Sequence, residues 1–487
     1  MGPLSQRWRV LWPLAVWLAL VLAPVPAGLH ANQWHYFAVF AAAIVAMVLT
    51  PLPNGAIGLI AVTFIASMRY VEADAGKSIG WALSGFAEPT VWLTFGAFLF
   101  ALGYRHSGLG RRIALSLVRR LGRRTLGLGY AIALADLALA PGTPSNTARS
   151  GGTIYPIVRQ IPRLYGSEPG PTARRIGAYL MWTAFAATAV TSSMFVTALV
   201  PNATALALAG RTMGFEVGWW AFFAGFAPAG LLLLALVPLV AYWIYPPEVR
   251  DSPETVAWAA DELRQMGPMS RKEWTMAALV ALAIVLWVTG SNPRVAVPGL
   301  GSNFLHPTGV VLIVVSLMLV LRVIAWDDVL AEREAWGVLL YFTMVLTLAD
   351  GLHRIGFVEW FARAVTGPLV GIPPLVAMFA LVALFFWSHY LFASITSHAV
   401  AVLPVVLAIG REIPGVPGMP LAMLCIYGLG LMGVISPYAT GCAPIYAGSG
   451  FIGRGWFWWL GLVFGALFFV VLVGVAGPWV LATMPGR

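Results

Sequence analysis

The sequence predicts an all-α polytopic membrane protein: eleven transmembrane helices plus two re-entrant hairpins in an inverted-topology repeat. Three observations carry that prediction. First, 60% of the 487 residues are hydrophobic and only 10% are charged, and mean hydropathy is +0.84. That is too little charge to cover a soluble protein of this length. Second, apolar runs able to cross about 30 Å of hydrocarbon recur along the chain, among them Leu11–Leu29, Phe37–Leu52, Leu232–Tyr245 and Trp456–Met484. Third, apolar segments in the two halves are interrupted by matching clusters of hydroxyl-bearing and small residues.

The net charge of +10 does not signal nucleic acid. The arginines lie in short loops beside apolar spans, as positive-inside topology requires. Cys425 and Cys442 sit in apolar surroundings with no metal-ligand spacing, so they read as packing residues. No metal or cofactor is expected. The N-terminal run after Arg7 and Arg9 is longer than most signal-peptide cores and lacks a clean cleavage site, so it is read as a retained first span.

With Arg7 and Arg9 in the cytoplasm, the spans alternate. The fourth, about 89–104, delivers Arg105, Arg111, Arg112, Arg119, Arg120, Arg123 and Arg124 to the cytoplasmic side, and this cluster sets the orientation. Gly108–Leu121 has Arg and Leu/Ile at helical spacing and should lie at the interface. Thr125–Ala140 then meets Pro141-Gly142-Thr143-Pro144, and basic residues flank both ends of the segment. It therefore enters and leaves from one side, as a hairpin. An interrupted span over 177–210 and a span over 217–245 follow. The second half repeats this plan through a hairpin broken near Ser394–Ser397 and an interrupted span over 419–450. The last span ends outside.

The halves match residue by residue. Gly103 and Gly108 correspond to Gly351 and Gly356; Ser145, Thr147 and Arg149 to Ser394, Thr396 and His398; Ser193, Thr197 and Pro201 to Ser436, Thr440 and Pro444. The first unit starts inward and the second outward, so inversion relates them, as in many alternating-access carriers. The expected organisation is an N-terminal helix (1–30), a first repeat (31–245), a cytoplasmic loop (246–273) and a second repeat (274–487).

In lipid an unpaired backbone group costs several kcal/mol, so unwound chain persists only where protein or a cavity satisfies it. The breaks therefore mark the site. Candidate ligand-binding residues are Ser145, Asn146, Thr147, Ser394 and Thr396 at the tips, with Ser193, Thr197, Pro201, Thr440 and Pro444 in the broken spans. A helix starting at each tip aims free N–H groups and its positive dipole end at the cavity, which suits a carboxylate or other oxyanion. The plainer reading is that these hydroxyls cap helices; its occurrence at two repeat-related tips favours the ligand. Arg149 and His398 each lie four residues after a tip serine. Arg149 at membrane depth either pairs with substrate or fills the space of a bound cation. Asp136 is expected to pair with a donor inside the hairpin, and Asp350 to sit at a span end.

At these motifs the chain resembles the divalent anion/sodium symporter family over nearly its whole length. Thr-Pro-Ser-Asn-Thr-Ala-Arg, His-Tyr-Leu-Phe-Ala-Ser-Ile-Thr-Ser-His and Ser-Pro-Tyr-Ala-Thr-Gly are similar to its exchanger branch, which includes citrate/succinate antiporters and 2-oxoglutarate/malate translocators. The resemblance implies an elevator-type homodimer in a bacterial inner membrane, carrying C4–C6 di- or tricarboxylates. Ile395 stands where the first tip has Asn146, a departure from the sodium-coupled pattern. Together with Arg149 and His398 as resident charge, it points to sodium-independent exchange. The alternatives are a sodium-coupled dicarboxylate symporter, a membrane enzyme and an ion channel. An enzyme lacks the convergent carboxylates or metal ligands it would need, and matched breaks at two tips suit a closed site better than a pore.

Overall fold

The computed structural model describes residues 4–290, 295–299, 301–302, 304–366 and 371–484. In chain order the helices begin with α1 (Leu4–Leu22), α2 (Ala31–Leu49), α3 (Asn54–Ser67), α4 (Ala75–Leu83), α5 (Pro89–Ser107) and α6 (Leu109–Leu121). The first hairpin follows as α7 (Thr125–Leu139), a tip, a π-helical stretch Thr147–Ile154 and α8 (Tyr155–Val158). The first broken span is α9 (Gly177–Met194) and α10 (Val200–Met213), followed by α11 (Trp219–Ile244), α12 (Pro253–Met266) and α13 (Arg271–Gly290).

The second half supplies α14 (Pro307–Val320), α15 (Trp326–Ala331), α16 (Arg333–Arg354) and α17 (Phe357–Thr366). Its hairpin is α18 (Pro374–Trp387) and α19 (Ile395–Glu412), and its broken span is α20 (Gly418–Leu431) and α21 (Ala443–Ala447). The helices α22 (Arg454–Val471) and α23 (Gly477–Thr483) close the described chain.

Among the described residues eight helical stretches are long and apolar enough to span a bilayer, or nine if the pair bent by 45° at Glu88 counts as one. This is a multi-pass membrane protein. The lengths alone do not return eleven spans. Apolar helices such as α3, α14 and α20 fall short of a full crossing, and each broken span divides its length between two half-helices.

The amphipathic helices after α5 and α16 both form, as α6 and α17. A glycine at positive φ precedes each, Gly108 at 79° and Gly356 at 74°, a backbone region that costs a residue without Cβ little. The apolar side of α6 (Leu109, Ala114, Leu115, Val118) is buried between α7 and α12. Protein therefore covers the face that periodicity marks as apolar.

Buried side chains fall into two clusters. The smaller joins α2, α3 and α4 to one side of α16 through Tyr36, Ile65, Met344, Val345 and Leu348. The larger holds both hairpins and both broken spans, and takes Phe342 and Leu346 from the other side of α16. Tyr36 fastens the smaller unit, donating to the Leu348 carbonyl at 2.7 Å.

Candidate carboxylate site

Each tip is built by a serine that caps the helix after it. Ser145 Oγ accepts from Ala148 N at 3.2 Å, and Ser394 Oγ accepts from Ser397 N at 3.3 Å. Capping and ligand binding are compatible here, because a hydroxyl that accepts from the backbone keeps its own proton to donate. The breaks are satisfied differently. In the first, Asn202 Nδ2 donates to the Ser192 and Phe195 carbonyls at 2.7 and 3.0 Å. In the second, His389 Nε2 donates to Ala439 O at 2.8 Å.

The first hairpin is also tied to both broken spans. Val200 N donates to Pro144 O at 2.9 Å, and Asn146 Nδ2 donates to Thr440 Oγ1 at 2.8 Å. Ser150 and Tyr446 share a hydroxyl–hydroxyl bond of 2.7 Å. Gly441 lies so close to Thr147 that a Cβ there would collide with Thr147 Oγ1.

These contacts bring the two tips to one cavity of about 820 Å³. Ser145, Asn146 and Thr147 line it with Ser394, Ile395 and Thr396, joined by Pro201, Thr440 and Gly441. Thr50, Asn54, Glu334 and Tyr341 form part of the opposite wall, from the α2–α3 turn and α16. Sequence reasoning missed this wall, because its residues carry no motif and meet the tips only through tertiary packing. Three candidates lie away from the cavity. Thr197 Oγ1 accepts from Trp219 Nε1 at 3.0 Å, Ser193 is fully buried beside Gly430, and Pro444 begins α21.

Arg149 does not line the cavity either. Its side chain is fully buried, with Asp136 beside it at 3.0 Å. Nη1 donates to the carbonyls of Thr143 and Ala198, both at 2.9 Å. Nη2 reaches Ser192 Oγ at 2.9 Å, Thr191 Oγ1 at 3.3 Å and Thr188 Oγ1 at 3.4 Å. Thr191 also donates to Asp136. A guanidinium has five N–H donors, and all find partners within the protein. None remains for a ligand. The expected resident positive charge is thus half of a buried ion pair, and what the tips themselves offer the cavity is N–H groups, hydroxyls and helix starts.

His398 differs from its repeat partner. Its Nε2 donates at 3.0 Å to Ser388 Oγ, which donates onward to Phe385 O. The rings of Phe385, Phe392 and His389 surround it. Among the described residues no carboxylate pairs with it.

A second cavity, of about 540 Å³, approaches the tips from the arginine-rich face. Arg105, Arg111, Glu262 and Glu332 line its outer part, and Thr143, Pro144 and Ser145 its inner end.

Residues 4–484 match the family model described as the sodium:sulfate symporter transmembrane region. The chain belongs to this family. It is 44% identical over 484 residues to the citrate/succinate antiporter of Escherichia coli (strain K12), covering 97% of each chain. It is 40% identical over 486 residues to the L-tartrate/succinate antiporter of the same strain, covering 97% of this chain and 98% of the relative. The solved structure of the Alcanivorax borkumensis YdaH transporter shares the fold, with a TM-score of 0.59 at 16% identity over 89% of this chain and 98% of that one.

Proposed function

We propose that this protein exchanges di- and tricarboxylates across a bacterial inner membrane, independently of sodium and with both tips holding the substrate. The observation that carries this reading is the convergence of Ser145, Asn146, Thr147, Ser394, Thr396 and Thr440 on one cavity. Full-length relatives that are named as citrate/succinate and tartrate/succinate antiporters support it. Hydroxyls and helix-start N–H groups bind carboxylates without a fixed charge that would retain them. An empty site would present the same donors unpaired while crossing the hydrocarbon, a cost that a bound anion removes. That difference favours exchange over uniport.

Arg149 stands in for a cation on this reading. Its guanidinium bridges two carbonyls of unwound chain, Thr143 O and Ala198 O, beside the Asp136 carboxylate, a set of oxygens suited to a hard cation. The inverted repeat with eleven spans, the elevator movement, the homodimer and the cytoplasmic N-terminus belong to the same proposal. The test is counterflow in proteoliposomes. Labelled succinate should enter only when succinate, citrate or tartrate is trapped inside, at the same rate with choline as with sodium. Uptake into acid-free vesicles driven by a sodium gradient would instead make this a symporter.

A further inference from the structure

The two cavities share a neck. Phe98, Pro144, Ser145 and Glu334 border both, so a ligand moving between the arginine-rich face and the tips passes the Glu334 carboxylate. The vestibule's other charges cancel in pairs: Arg105 with Glu332 and Arg111 with Glu262 at 2.5 Å. Glu334 has no ion pair among the described residues. The unpaired charge on this approach to an anion site is therefore negative. A passage built only to capture carboxylates would leave its arginines unpaired instead.

We infer that Glu334 is a specificity-determining residue, a charge filter at the neck that disfavours trianions relative to dianions. The inference rests on the carboxylate-exchange reading above. Repulsion between like charges scales with the ligand's charge. Across about 6–8 Å of water, each added unit of ligand charge lowers occupancy about two- to threefold at low salt. Glu334 sits in the first turn of α16, at the border of both cavities, so its field acts on an anion in the neck and at its entry to the tips. It also favours release, because the same field pushes a freed anion outward.

The experiment uses the full chain in proteoliposomes at pH 8, where citrate is a trianion and succinate a dianion. Competition by each acid against labelled succinate is measured at the vestibule face. Taking the ratio of Glu334→Gln to wild type cancels whatever the tips themselves prefer. Glu334→Gln should improve apparent affinity for citrate about two- to threefold more than for succinate. Raising KCl to 0.5 M should produce the same shift in wild type, and Glu334→Asp should keep the wild-type ratio. An active Glu334→Gln protein with an unchanged citrate-to-succinate ratio would remove the filter alone. A wild-type ratio indifferent to salt would also remove it. Absence of any counterflow by wild type would overturn the carboxylate reading, and the filter with it.

Discussion

The two hairpins present the same backbone device with different chemistry beneath it. Under the first tip, Arg149 gathers a carboxylate, two carbonyls and three hydroxyls around a fully buried ion pair. Under the second, His398 has one hydroxyl partner and a wall of aromatic rings. The first helix restarts through a π-helical stretch, the second as a regular helix of 18 residues. The chain thus breaks at matching places in the two hairpins, and each break is satisfied in its own way. The first is held by charge, the second by packing.

Substitution can test that contrast. Arg149→Ala should have the largest effect. It leaves Asp136 buried without a counter-ion, a situation that costs about 3–5 kcal/mol, and detergent melting should show it. Asp136→Asn combined with Arg149→Ala should recover much of that loss; a double variant as damaged as the sum of the singles would mean that the pair is not the stabilising unit. His398→Ala should cost less, about 2–3 kcal/mol, since it removes ring packing and one hydrogen bond. If the two losses were equal, the asymmetry between the hairpins would be one of appearance only.

Smaller effects sharpen the link between the halves. Gly441→Ala places a methyl against Thr147 Oγ1. Overpacking of this kind costs about 1–3 kcal/mol, and here it should raise KM for succinate more than it lowers the melting point. Asn146→Ala and Thr440→Ala, taken singly and together, should show a coupling of about 0.5–1.5 kcal/mol in apparent affinity. Additive losses would mean that the bond between tip and broken span does not shape the site.

Much of this architecture was legible in the sequence. Interrupted apolar runs announced the helix breaks after α7 and α18, because lipid tolerates unwound chain only where protein satisfies it. Glycines after α5 and α16 announced the amphipathic helices. The repeat-matched serines pointed to tips that do reach one cavity. Other features were not legible. Thr197 has the same spacing as Thr440, yet Trp219 occupies its hydroxyl, and no pattern along the chain pairs those two residues. The opposite wall, with Thr50, Asn54, Glu334 and Tyr341, comes from distant segments joined by packing. Arg149 was singled out as a charge at membrane depth, and the expectation that Asp136 pairs inside the hairpin holds. Their consequence is visible only in three dimensions: every guanidinium donor is already engaged, so the residue faces its own protein rather than the ligand.

On the reading proposed above, the Arg149 guanidinium stands where a bound cation would, held by the Asp136 carboxylate. The most direct measurement is succinate exchange against sodium concentration, for wild type and Arg149→Ala side by side. Wild type should give a flat response. In the variant, residual exchange should rise with sodium, because Asp136 and the carbonyls of Thr143 and Ala198 are then free to hold the ion. A wild-type rate that climbs with sodium would contradict that reading.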